Sequence, residues 1–301
     1  MSTANTSSQR VVLTPRGEFS LAASIGFLVG FTPLSYDGRG DDAQTLRLAF
    51  PAEGSWEAVG ITARQDDGGR VTATVEGADD LEQVRQQLER MLSLDVDGSS
   101  LPDIVGHDDV AAGLVSQLRG LRPVCFASPY EAAAWALLSQ RIQMKQAARI
   151  RVRMCEELGT AVDVDGVTMS TFPGPETLRR ATAVRGLAPV KVDRLHAIAD
   201  AALDGRLDAA TLRAAGPAQA LADLQRLPGI GPFGADLVLV RGAGEPDHFP
   251  RTERRLHRAM ADAYGVDAED VDALEAIATT WSPFRSWVSF LFRTPSSMAR
   301  A

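Results

Sequence analysis

The segment LPGIGPFGADLVLVRG, residues 227–242, holds the side chains and backbone groups with the clearest chemical reach. Leu227 and Ala235 are apolar anchors of two short helices, and Pro228, Gly229 and Gly231 between them form a connection too tight for a Cβ at its sharpest positions. Such a hairpin turns successive backbone N–H groups and the start of the second helix, near Pro232, toward solvent. That arrangement suits a phosphate and needs no lysine. Gly229, Gly231, Pro232 and Gly234 are therefore candidate nucleic-acid contacts. A purely structural glycine turn fits the same pattern. Two basic clusters accompany the hairpin: Arg141, Lys145, Arg149, Arg151 and Arg153, without one carboxylate in 141–153, and Arg251, Arg254, Arg255 and Arg258. Each also reads as a solvated helix face.

Other chemistries find little support. His107, His196, His248 and His257 show no metal spacing, and no motif supports a catalytic triad. GAGEPDHFP is not a phosphate loop, because it lacks the lysine and follows a helix. Cys125 and Cys155 are too few for a four-sulfur zinc site, an iron–sulfur cluster or a disulfide scaffold, and read as buried small hydrophobes. No metal and no cofactor are expected.

The elements that must position these residues follow from composition and periodicity. At 301 residues, 45% hydrophobic and 23% charged, the chain buries a full core and has length for two or three compact units. A net charge of −8 argues against holding nucleic acid by bulk electrostatics alone. No apolar run approaches the roughly 20 residues of a spanning helix, and MSTANTSSQR is polar where a secretory signal is apolar, so a cytoplasmic protein is expected. TLRLAF, WEAVGITARQ and RVTATVEGA alternate apolar and polar residues, and DDGG between the last two is a hairpin turn, which predicts an antiparallel sheet. Leu81, Val84, Leu88 and Leu92 then share one helical face that could cover it. After about residue 105 strand signals almost vanish. The stretch 128–159 has Ser128 as N-cap, Pro129 at the first helical position and Gly159 at a stop. The expected organisation is α+β: a disordered 1–10, a sheet-plus-helix unit over 11–104, and a helical unit over 105–301 with its helix-hairpin-helix at 221–242.

With these pieces in place, the hairpin followed a dozen residues later by ERRLHRAMADAYG resembles the helix-hairpin-helix base-excision DNA glycosylase superfamily. Within it the chain is similar to bacterial DNA-3-methyladenine glycosylase II over almost its full length, through RMLSLDVD, SPYEAAAWALLSQRIQ, LAPVKVDRLHAIADAALDG and WSPFRSWVSFLF. The resemblance implies an N-terminal sheet domain shaped like half of the TATA-binding protein, then two helical lobes around a cleft. It implies a monofunctional hydrolase that excises alkylated bases from double-stranded DNA in base excision repair. A monomer with no membrane partner, located in the cytoplasm at the nucleoid, is expected.

The same resemblance assigns the site. The family's catalytic aspartate aligns with Glu253, one methylene longer, and Asp247 is its rival. The lysine of the bifunctional lyases is Phe233 here, so no amine is available for a Schiff base. The base pocket aligns with Phe233, Leu237 and Phe284, and the two phenyl rings offer a weaker cation–π face than Trp. The DNA wedge aligns with Gln140 and Arg141. Because glutamate replaces aspartate, a second reading stays open: a noncatalytic DNA- or lesion-binding protein that keeps the hairpin.

Overall fold

A computed structural model of the protein describes residues 8–33, 36 and 44–295. Its first part is β1 (Gln9–Leu13), α1 (Leu21–Gly30), β2 (Leu46–Pro51), β3 (Ala58–Gln65), β4 (Val71–Glu76) and α2 (Leu81–Met91). The strands form one antiparallel sheet in the order β1-β4-β3-β2. Alternation does what the sequence implied: Val71, Ala73 and Val75 are fully buried, while Thr72, Thr74 and Glu76 between them are not. Asp80 caps α2 by accepting from the Gln83 N–H, and Val84, Leu88 and Leu92 enter the sheet-side core.

Two expectations change here. β1 begins at Gln9 and pairs with β4, so residues 9 and 10 belong to the sheet rather than to a disordered start; residues 1–7 lie outside the described residues. The division expected at 104/105 falls inside the short helix α3 (Leu101–Val105).

The helices continue with α4 (Asp109–Gln117), α5 (Pro129–Leu138) and α6 (Met144–Leu158). Ser128 caps α5 as expected, accepting from the Glu131 N–H at 3.1 Å. All ten residues of α5 are buried, which makes it the axis of the helical core. The stretch from Ser128 to Gly159 is not continuous, however: residues 139–143 interrupt it, with Arg141 in the left-handed region at φ 58°.

A second correction follows α6. β5 (Ala161–Val164) and β6 (Val167–Ser170) form an antiparallel hairpin, so strand structure does not end near residue 105. Asp165 and Gly166 both take positive φ, the turn that an Asp-Gly pair favours between alternating apolar residues. The hairpin packs on β3 at Gly60, where an added Cβ would lie 2.9 Å from Val164 Cγ2.

The rest is α7 (Pro175–Arg180), α8 (Pro189–Leu203), α9 (Ala209–Ala214), α10 (Pro217–Leu224) and α11 (Pro232–Leu237), which runs into a π-helical turn, Val238–Gly242. α12 (Arg254–Tyr264), α13 (Val271–Thr279) and α14 (Arg285–Phe292) complete the chain, and Phe290 and Leu291 return to the sheet-side core. One buried residue links the parts. Arg90, 5% exposed, donates to Ala127 O at 2.6 Å and to Gly242 O, and pairs with Glu53 at 2.8 Å. The architecture is α+β, an antiparallel sheet with a larger helical part.

Candidate active site

The hairpin lies between α10 and α11, with the second helix starting at Pro232 as the sequence indicated. Gly229 is the residue that must be glycine: its φ is +89°, and a Cβ would fall 2.6 Å from Leu137 Cδ2 and 2.8 Å from Arg194 Cδ. Gly231 is different. Its φ is −94° and nothing would meet its Cβ within 4 Å, so the expectation that a side chain is excluded there does not hold. Gly231 and Pro232 are exposed, whereas Gly234 is buried against Ala136 of α5.

Beside the hairpin stands the loop that interrupts α5 and α6. Gln140 Nε2 donates to Gly229 O at 2.6 Å, which fastens loop to hairpin. From the other side Lys191 Nζ donates to Leu138 O at 3.2 Å and Gln140 O at 2.9 Å. Arg141 is left at the exposed tip, in a backbone conformation that non-glycine residues adopt at a cost of about 1–2 kcal/mol. Lys191 had no signal in the sequence beyond being one cation on a helix.

Glu253 occupies the N-cap of α12, where its Oε1 accepts from the Arg255 N–H at 3.0 Å. A carboxylate there can accept from the free N–H groups of the first turn. Its Oε2 lies 3.6 Å from Arg293 Nε, and the side chain is a quarter exposed. Asp247 has a different situation. Arg285 grips it with Nε at 2.8 Å and Nη2 at 3.0 Å, and the Ser282 hydroxyl donates at 2.8 Å. Burial raises its pKa, but the bonds from Arg285 and Ser282 outweigh that and hold it below the ordinary carboxylate range. With both oxygens engaged, Asp247 clamps its loop to α14.

A third carboxylate was not visible in the sequence. Asp236 on α11 is 7% exposed and accepts from Thr252 Oγ1 at 2.6 Å, with His248 Nε2 at 2.8 Å from its other oxygen. Thr252 immediately precedes Glu253, so Asp236 ties the N-cap of α12 to the hairpin's second helix. A polar residue on a helix otherwise read as apolar was the available signal.

The three pocket residues part company. Phe233 is 50% exposed on the hairpin, Leu237 is half-buried against the helical core, and Phe284 is 1% exposed with its ring 5.2 Å from that of Trp287. Two cavities, of about 450 and 220 Å³, lie elsewhere and are lined by none of them. Of the second basic cluster, Arg254, Arg255 and Arg258 are exposed, whereas Arg251 pairs with Asp272 at 2.6 Å and with Glu275.

The arrangement of an antiparallel sheet and a larger set of helices has counterparts among solved structures. No family model matches the chain. The 3-methyladenine DNA glycosylase of Archaeoglobus fulgidus superposes with a TM-score of 0.75 at 22% identity, covering 94% of this chain and 96% of the other. The chain thus shares the fold of that glycosylase. In sequence it is similar to the probable bifunctional transcriptional activator/DNA repair enzyme AlkA of Mycobacterium tuberculosis, 30% identical over 213 residues, 70% of this chain and 42% of that protein. It therefore spans less than half the length of that relative. It is also 23% identical over 215 residues to the DNA-3-methyladenine glycosylase of Bacillus subtilis, 69% of this chain and 71% of that one. Both of these relatives bear names of the kind the sequence resemblance led one to expect, AlkA and DNA-3-methyladenine glycosylase. No helix among the described residues is long and apolar enough to cross a membrane.

Proposed function

We propose that this chain is a monofunctional DNA glycosylase that hydrolyses the N-glycosidic bond of alkylated, 3-methyladenine-type bases in duplex DNA. The observation that carries the reading is Glu253 at the N-cap of α12, tied through Thr252 and Asp236 to the hairpin. The sheet unit then corresponds to half of a TATA-binding-protein-like domain, and the helices to two lobes around the substrate cleft. A base cannot be reached inside the duplex, so it is rotated out. Arg141 at the loop tip enters the gap, and Gly231 and Pro232 meet phosphate through the hairpin backbone. The base leaves the stack toward Phe233 and Leu237, with the buried Phe284 behind them reached only if the site opens. Bond cleavage builds positive charge on the sugar, which the Glu253 carboxylate stabilises while it orients a water. With Phe233 where a lyase has lysine, the reaction ends at the abasic site.

Release of methylated base from alkylated duplex by the wild-type protein is the direct test. A second reading has a specific support: Glu253 is already engaged by the Arg255 N–H and by Arg293. A protein that binds abasic duplex tightly and releases no base would be a noncatalytic lesion binder.

Two outcomes belong to the DNA face. Gly231→Asp should weaken binding to every duplex, damaged or not, with its melting temperature kept, because the site has room for a side chain but the added charge faces phosphate. Unchanged affinity would remove the hairpin from the interface. Arg141→Ala should weaken binding to an abasic duplex more than to an intact one, since only the former presents an opened stack. Equal losses on both, with a smaller salt slope, would mark Arg141 as a plain phosphate contact.

A further inference from the structure

The basic run 141–153 divides in the structure. Arg151 turns inward to the buried Glu131, while Lys145, Arg149 and Arg153 recur every four residues along one face of α6. Lys145 and Arg149 are exposed and Arg153 is half-buried. None of these three has a carboxylate within salt-bridge distance among the described residues, in a chain with 39 acidic and 31 basic residues where arginines elsewhere are commonly paired. Like charges four apart oppose helix formation, so this face costs the fold stability unless a counter-charge meets it.

The face is also a groove. Lys145, Arg149 and Arg153, with Gln143, Gln146 and Gly186, line the cavity of about 450 Å³. Arg185 stands on the opposite side, its carbonyl accepting from Arg153 Nη1 at 3.4 Å. Gly186 has φ +92°, and a Cβ there would come within 3.3 Å of Ile150 Cγ1, so glycine keeps this wall low. The row starts four residues after Arg141. Its eight-residue span rises about 12 Å, close to three or four nucleotide steps of one strand.

We propose that this groove is a second phosphate-binding surface, which takes the backbone of the duplex flanking the point where Arg141 enters. The proposal rests on the DNA-binding reading above and extends its footprint from the hairpin along α6. A row of three cations, two of them exposed and none with a carboxylate partner among the described residues, is complementary to a polyanion, and its continuity with the Arg141 loop selects the same DNA as the occupant. No base is read here, so the contact is indifferent to sequence and to damage.

The test compares wild type with Lys145→Gln/Arg149→Gln and with a triple variant that adds Arg153→Gln, by duplex affinity against salt concentration. Each lost phosphate contact should reduce the slope of log K against log salt by about 0.9, so two to three contacts should lower affinity about 10- to 10³-fold at low salt. Intact and abasic duplexes should be affected alike. A duplex trimmed on the flank over α6 should bind wild type as weakly as the triple variant. The double variant changes only exposed residues and should keep or raise the melting temperature, because it relieves a like-charge pair. An unchanged slope in both folded variants, with wild type still binding duplex through a hairpin sensitive to Gly231→Asp, would overturn the groove and leave the function standing. A wild-type protein that binds no duplex would overturn both.

Discussion

Replacement of Glu253 by glutamine should lower base release by at least ~10²-fold, the scale on which a single electrostatic element acts on a developing charge, while DNA binding is kept or improved. The structure makes this a clean exchange. The amide oxygen of glutamine can still accept from the Arg255 N–H, so the cap survives, and the partly exposed contact with Arg293, at 3.6 Å, contributes little to stability. A melting temperature near that of wild type, combined with lost release, would separate chemistry from folding. Glu253→Asp tests position rather than charge. Aspartate is a better N-cap than glutamate and would draw the carboxylate closer to the helix. Held or increased activity would show that the backbone is placed as in the aspartate enzymes; a drop would show an active site fitted to the longer side chain, where a displacement near 1 Å costs on the order of 10²-fold. Equal activity of wild type and Glu253→Gln would exclude Glu253. Asp247, the rival carboxylate, would then be tested as Asp247→Asn with the melting temperature followed alongside, because Arg285 and Ser282 hold both of its oxygens.

The second large effect is on stability. Arg90→Ala should destabilise the protein by about 3–5 kcal/mol, because it leaves the largely buried Glu53 without its cation, takes a donor from Gly242 O and leaves Ala127 O with only Gln87 Nε2. Burial already raises the Glu53 pKa above its ordinary 4.5, with Arg90 pulling it down, so in the variant it should climb further. For an acid whose folded pKa is raised, the unfolded chain ionises first. Stability is then complete below about 4.5 and falls as pH rises through the folded value, so the deficit of the variant should shrink on acidification. Urea midpoints from neutral to acidic pH would show it. A loss under about 1 kcal/mol, flat with pH, would mean that water replaces the guanidinium.

How far the sequence foretold this arrangement varies with the physics involved. The hairpin, β2 to β4 and the start of α5 were legible because each rests on local rules: glycine spacing, alternation and a Ser-Pro cap. β1 and α1 were not, since short apolar runs fit either a strand or a helix. The β5–β6 hairpin did carry its signal, an Asp-Gly pair between alternating residues, in a region otherwise helical. The break at 139–143 contains neither glycine nor proline, and its bend is imposed from outside by Gln140 on Gly229 and Lys191 on two carbonyls. Glu253 was placed ahead of Asp247 by the resemblance alone; the partners of each, seen in space, distinguish a capped carboxylate from a clamped one. Asp236 gave no hint that residues 16 positions apart would meet.

The bonds from Gln140 to Gly229 and from Asp236 to Thr252 place the loop tip, the hairpin and the Glu253 carboxylate on one support before any ligand arrives. Under the proposed function, a protein set in this way has little left to rearrange, and the deformation of the encounter falls on the duplex. Discrimination would then begin with the substrate's own mechanics. A weakly stacked or poorly paired nucleotide yields to a fixed shape more readily than a sound one, whatever the chemical identity of the lesion.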